Sequence, residues 1–144
     1  MVTGKKVCLC GSFRFYNHMN EIGKYLTEKG ITCLIPQPFE FRDQNQPCYF
    51  EDKWSLLTNQ DKLILSRKAE KQYLEKLESA DVVYVVDPNG YVGPSVLFEI
   101  GYAVAKGKVV YSLEPIQEYS VMSLIEKTMT PEILVRTLLK LPFL

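Results

Sequence analysis

Acidic and basic side chains balance at 17 each over 144 residues, so no net field draws the chain to nucleic acid or an anionic membrane. The length suits one domain, 1–144, with a core that needs no staples, and no apolar run approaches membrane-spanning length. With no secretory-type leader at the start, a soluble cytoplasmic protein is expected, with neither nucleic acid nor membrane as partner.

The first element is a short apolar strand over 6–10, KVCLC, followed directly by Gly11, Ser12, Phe13 and Arg14. A helix over 17–29 has Met19, Ile22, Leu26 and Tyr25 inward and Gly30 as its C-terminal stop. A second strand over 31–35 ends at the prolines 36 and 38. Strand, helix, strand in this span is the repeating unit of a parallel α/β sheet. The stretch 39–59 mixes Phe39, Phe41, Tyr49, Phe50 and Trp54 with charges and amides without a clean period. It is too long for an ordinary connection and reads either as a lid or partly helical insertion, or as a surface loop pinned by aromatics. A long polar helix over 61–79 follows, with Leu65, Ala69, Tyr73 or Leu74, and Leu77 as its apolar line.

The central stretch is ADVVYVVDPNGYVGPSVLFEIGYAVAKGK, residues 80–108. Its continuous β-branched run reads as a parallel strand covered on both faces. Asp87, Pro88, Asn89 and Gly90 end that strand, and Pro94 suits the first position of a helix that runs to Lys106, with Gly107 beyond it. The expected inward stripe is Leu97, Ile100, Gly101 and Val104, with Ser95, Glu99 and Tyr102 on another face. A further strand covers 109–113, a short helix 120–127, and a last helix starts at Thr130 and Pro131 and runs to about 141. Four strands are visible and a fifth is sought in the insertion, which gives a flavodoxin-like or Rossmann-like sheet of four or five strands.

The four cysteines, Cys8, Cys10, Cys33 and Cys48, lack the spacing of a disulfide frame and are expected as reduced thiols. A metal site would want a second close pair and histidines, and the one histidine is His18. Neither metal nor organic cofactor is expected.

Two turns carry chemistry. In CGSFR a glycine, a hydroxyl and an arginine precede a helix start, the donor set that a phosphate or carboxylate needs. Gly93 to Ser95 present similar donors, and in a parallel sheet both turns open on the same edge. From spacing alone Glu99 reads as a solvated residue favoured by the helix dipole, with no basic partner at Tyr102 or Ala103. Two donor-rich turns around it describe a nucleotide-sized site instead.

KVCLCGSFRF together with ADVVYVVDPNGYVGPSVLFEIGYAVAKGKVV resembles the nucleoside 2-deoxyribosyltransferase superfamily, which includes the 2′-deoxynucleoside 5′-phosphate N-hydrolases. The resemblance covers the first strand, helix and second strand and then 80–113; the insertion and the C-terminal part lie outside it. It implies cleavage of an N-glycosidic bond in a nucleoside or nucleotide, in a homodimer or higher homo-oligomer. The glutamate of the E-[IL]-G-x-A motif, here Glu99, would attack the anomeric carbon, giving a glycosyl-enzyme that water or a second base resolves. Ser12 and Arg14 would hold a 5′-phosphate, Gly11 would line the sugar, and Ser95 or the amides of Gly93 to Ser95 would complete the cradle. The aspartate that the family uses as acid/base has no counterpart, because counting back from the central strand lands on Tyr73. Gly93 replaces a serine or aspartate of relatives, and Cys8 an aromatic residue. Asp87 and Tyr73 are the remaining candidates, although Asp87 also reads as a turn residue and Tyr73 as helix packing. Aromatics of the insertion would stack the base. The alternative is a nucleotide-binding or sensor module of the same fold without catalysis. A lysine-decarboxylase-like phosphoribohydrolase is disfavoured by the absence of its PGG-G-T pattern. The apolar end, Leu138, Leu139, Leu141, Phe143 and Leu144, suits a subunit interface or the core.

Overall fold

The computed structural model describes residues 5–37, 42–43, 46–47 and 56–140. Its elements follow one another as β1 (Lys6–Cys10), a 3₁₀ turn (Phe13–Phe15), α1 (Tyr16–Glu28), β2 (Thr32–Leu34), β3 (Arg42–Asp43), β4 (Gln46–Pro47) and α2 (Asn59–Ser79). Then come β5 (Val82–Val85), a second 3₁₀ turn (Pro88–Gly90), α3 (Pro94–Ala105), β6 (Val109–Ser112), α4 (Tyr119–Met122), β7 (Lys127–Thr128) and α5 (Pro131–Leu139).

Five strands form one sheet in the order β2-β1-β5-β6-β7, and every neighbouring pair is parallel. This is the doubly wound order in which the chain reverses its direction of winding between β1 and β5. Side chains alternate across it. Val7, Leu9, Val82, Tyr84 and Val86 pack on one face against Met19, Ile22 and Leu26 of α1 and Leu134 and Val135 of α5. Cys8, Cys10, Val83, Val85 and Val110 pack on the other against Tyr73 and Leu77 of α2 and Val96, Ile100 and Ala103 of α3. The central run is apolar throughout because both of its faces are covered. Each such side chain removed from water contributes about 1.5–3 kcal/mol.

Thr130, Gly30 and Gly107 act as expected, and α2 starts two residues earlier than expected, with a cap of its own. Thr58 caps α2 by accepting from the Asp61 amide at 3.1 Å, and Thr130 caps α5 by accepting from that of Ile133 at 3.3 Å. Gly30 and Gly107 end α1 and α3 with φ of 85° and 76°. Helix α5 stops at Leu139, where Lys140 takes the left-handed conformation. Leu138 and Leu139 pack against the core; Leu141, Phe143 and Leu144 lie outside the described residues.

Three expectations need correction. The fifth strand is not in the insertion: it is β7, within and just beyond the span read as a helix over 120–127, where only Tyr119–Met122 is α-helical. Its ladder with β6 matches Tyr111 to Lys127 and Ser112 to Thr128, and the two hydroxyls Ser112 Oγ and Thr128 Oγ1 stand 3.0 Å apart. The described part of the insertion holds two short strands, β3 and β4, paired antiparallel with each other and not with the main sheet. Its aromatics Phe39, Phe41, Tyr49, Phe50 and Trp54 lie outside the described residues, as does Cys48. The third correction concerns α3. Its buried side chains are Val96, Glu99, Ile100 and Ala103, while Leu97 is 39% exposed. The helix is turned by about one residue from the stripe drawn through its larger apolar side chains, because its inner surface meets both the sheet and α2.

Candidate active site

Beyond the carboxyl ends of β1 and β5 the chain departs to opposite faces of the sheet, into α1 and α3, and a cleft of about 390 Å³ opens there. Helix α3 starts at this edge and borders the opening with its first turn, while α2 borders it with its middle, Ser66 to Tyr73. The cleft is lined by Gly11, Ser12 and Phe13 after β1, by Tyr91, Gly93, Pro94 and Ser95 before and within α3, by Pro36 and Gln37 after β2, and by Ser66, Glu70 and Tyr73 of α2. Glu99 stands at its floor.

Gly11 is required by close approach rather than by its φ. A Cβ at that position would lie 2.8 Å from the Val86 carbonyl and 3.1 Å from Met19 Sδ. The next residue, Ser12, caps the 3₁₀ turn, its Oγ accepting from the Arg14 amide at 3.3 Å. On the opposite side Gly93 precedes α3, Pro94 occupies its first turn, and Ser95 follows on the cleft wall. The amides of Ser95 and Val96, in the first turn of α3, have no intrahelical acceptor to reach, which makes that helix start a donor surface.

Glu99 is 8% exposed. Burial, reinforced by the carboxyl of Glu70 lying against it, pushes its pKa up to about 9. The opposing influence is Cys10, whose Sγ donates to Glu99 Oε1 at 3.5 Å. That thiol keeps its proton because its own burial holds it well above the usual cysteine range. Tyr73 belongs to the same cluster. Its hydroxyl donates to the Leu9 carbonyl at 2.8 Å and accepts from Cys8 Sγ at 3.7 Å. Burial raises the pKa of Tyr73 well above the phenol range and that of Cys8 to about 11, so both remain neutral donors at physiological pH.

The fold thus brings Gly11, Ser12, Tyr73, Gly93, Ser95 and Glu99 around one cleft. Two candidates stand apart from it. The guanidinium of Arg14 lies over the ring of Tyr91, 4.1 Å from its centroid, while Phe15 meets the same ring edge-on at 5.9 Å. Arg14 therefore braces a wall residue and is absent from the lining. Asp87 is fully buried, also away from the lining. Its Oδ1 accepts from the Glu114 amide at 2.9 Å and ties the turn after β5 to the turn after β6. Burial raises its pKa to about 7.

Among the cleft residues that the sequence did not single out, Glu70 is the one that carries a carboxyl. The signal was faint: it sits three positions before Tyr73, on the same side of the helix. Among the described residues no cluster of three or more histidine, cysteine or acidic side chains could hold a metal.

No protein-family model matches the chain, and no curated protein matches it by sequence. Solved structures do. A 2-deoxyribosyltransferase from the psychrotolerant bacterium Bacillus psychrosaccharolyticus matches 92% of this chain and 95% of its own, with a TM-score of 0.59 at 17% identity. A conserved protein from Enterococcus faecalis V583 matches over 94% and 98%, with a TM-score of 0.56 at 15% identity. The chain therefore has the fold of the nucleoside 2-deoxyribosyltransferases, as its two motifs implied. It is an α/β protein with a five-stranded parallel sheet. Among the described residues, no helix is long and apolar enough to cross a membrane.

Proposed function

We propose that residues 1–144 form one catalytic domain that cleaves the N-glycosidic bond of a nucleoside or nucleoside 5′-monophosphate, with Glu99 as the nucleophile. Hydrolysis and deoxyribosyl transfer share the first half of this chemistry and differ in whether water or a second base resolves the glycosyl-enzyme. The observation that carries the reading is a buried carboxyl at the floor of a cleft whose rim holds two donor-rich turns. A carboxyl in that position resists ionisation in the empty protein, chiefly because it is buried. The positive charge that develops on the anomeric carbon is the partner it lacks, so the carboxylate is stabilised most where bond cleavage needs it. Cys10 fixes one oxygen of the group and leaves the other for attack.

Ser12, Ser95 and the amides opening α3 are the donors within the cleft for a 5′-hydroxyl or phosphate, with Gly11 against the sugar. Arg14 would have to leave the face of Tyr91 to join them. The insertion 39–59 would act as the lid. A second reading, a nucleotide-binding module without catalysis, is favoured by the burial of Asp87 away from the cleft and by the engagement of the Tyr73 hydroxyl with a backbone carbonyl.

The test is product analysis by chromatography with a panel of ribo- and deoxyribonucleosides and their 5′-monophosphates, beside Glu99→Ala. Free base released by the wild type and lost in the variant supports the glycosidase reading. No release, with a nucleoside or monophosphate still raising the melting temperature, leaves the binding module. Neither release nor binding sinks both.

A further inference from the structure

Helix α2 carries a second carboxyl into the cleft. Glu70 lines it together with Glu99, one helical turn from Tyr73 toward the start of α2 and so toward the mouth. Its carboxyl lies against that of Glu99, close enough for a hydrogen bond whenever one of the two is protonated. Glu70 Oε1 is buried and has no hydrogen-bond partner in the protein. Leaving such an atom unpaired costs about 1–3 kcal/mol, and two adjoining carboxylates repel besides. A fold that merely packed α2 on α3 has no use for that arrangement. A site that needs one carboxylate and one carboxylic acid does.

Building on the assignment of Glu99 as nucleophile, we propose that Glu70 is the general acid/base of this site, the part for which the motifs supply no residue. The other two candidates are placed otherwise: Asp87, with one oxygen on the Glu114 amide and the other unpartnered, lies off the cleft lining, and the Tyr73 hydroxyl donates to the Leu9 carbonyl. The groups facing the pair are the thiols of Cys8 and Cys10 from β1 and the phenol of Tyr73 from α2. Of the two carboxyls, Glu99 receives the thiol hydrogen bond from Cys10, which favours its charged form. In the empty site Glu99 holds its proton; with C1′ of the substrate facing it, that proton passes to Glu70, and the reaction starts from this arrangement.

In the first step a Glu99 oxygen bonds to C1′ as the C1′–N bond breaks, and the nitrogen, taking that electron pair, receives the Glu70 proton. The base leaves neutral, and Glu70 becomes a carboxylate. In the second step water gives a proton to Glu70 as its oxygen bonds to C1′, and the ester bond to Glu99 breaks. The starting protonation is restored. In transfer, an N–H of the incoming base takes the place of the water.

Glu70→Gln keeps the size of the side chain and removes the transferable proton. Base release would be measured for the best nucleoside substrate and for a nitrophenyl glycoside of the same sugar, whose leaving group departs without protonation. Release from the nucleoside should fall by about 10²–10⁴-fold, with the nitrophenyl compound retained within about tenfold. Loss on both substrates alike, or on neither, overturns the assignment to Glu70 while leaving the glycosidase reading intact. Should the variant not fold, the wild-type pH profile decides. An alkaline fall in nucleoside cleavage that nitrophenyl cleavage lacks supports a general acid, and identical profiles overturn it. Wild-type protein inert toward both compounds overturns the glycosidase reading, and the role of Glu70 with it.

Discussion

A carboxyl group that folding withdraws from water holds its proton to higher pH, and Glu99 turns this into a measurable dependence of stability. Its ordinary pKa of 4.5 is raised to about 9, chiefly by burial. Between those values the folded protein binds more protons at this site than the unfolded chain, so its contribution to stability falls as pH rises. Glu99→Gln removes the titration while preserving shape. Thermal denaturation should therefore show the variant gaining on wild type by a few kcal/mol, at most about 4, between about pH 5 and about pH 8. A gap that stays constant across that range would mean that Glu99 ionises freely and that the floor of the cleft is wet. Tyr73 supports a second prediction: Tyr73→Phe leaves the buried Leu9 carbonyl without its 2.8 Å donor. It should cost about 1–3 kcal/mol in urea denaturation. The two glutamates of the cleft differ in how legible they were. Glu99 stands in a motif with apolar neighbours. Glu70 shares a polar helix with Glu75, which is exposed, and Glu78, which pairs with Lys106 at 2.9 Å on the surface. Nothing in that run of charges distinguishes the one that points inward.

Among the elements, legibility followed how much of the fold each one carries in its own side chains. Strands β1, β5 and β6 and the helices around them announce themselves because their apolar runs and caps are local signals. Strand β7 has no such signal: Lys127 and Thr128 are both exposed, and the pair is a strand only because its backbone docks on β6. The rotation of α3 was hidden for a related reason. A helix wall that lines a cleft buries a glutamate and an alanine, so the largest apolar side chains do not mark its inner face. The turn after β1 offers the sharpest test at this scale. A methyl group at position 11 would meet the Val86 carbonyl, a backbone atom that cannot swing aside, and Met19 Sδ as well. Gly11→Ala should therefore destabilise the protein by about 1–3 kcal/mol and displace Ser12 from the rim. Base release by the folded fraction should drop with it. Unchanged denaturation would show that β1 and β5 can part there without cost.

At the scale of the whole molecule, the sheet order places the cleft at the reversal between β1 and β5, and everything that borders it belongs to one edge. Large apolar side chains are uncovered in several places, and three of them lie in the second turns of the two helices that flank the cleft. Leu63 and Ile64, near the start of α2, are 69% and 56% exposed, and Phe98, in the second turn of α3, is 55% exposed. Exposed apolar groups on the helices that flank a site are costly in a monomer and natural at an interface. We expect a second copy of the chain to cover them, in a symmetric dimer or larger assembly that also narrows the mouth of the cleft. Light scattering coupled to gel filtration should find wild-type protein as a dimer or more, and the pair Ile64→Asp and Phe98→Asp as a monomer. These positions are outside the cleft lining. Reduced base release in the monomeric variant, recovered at high protein concentration, would mean that the neighbouring copy completes the site. Wild-type protein that is monomeric and fully active would show instead that the apolar rim receives something other than its own kind.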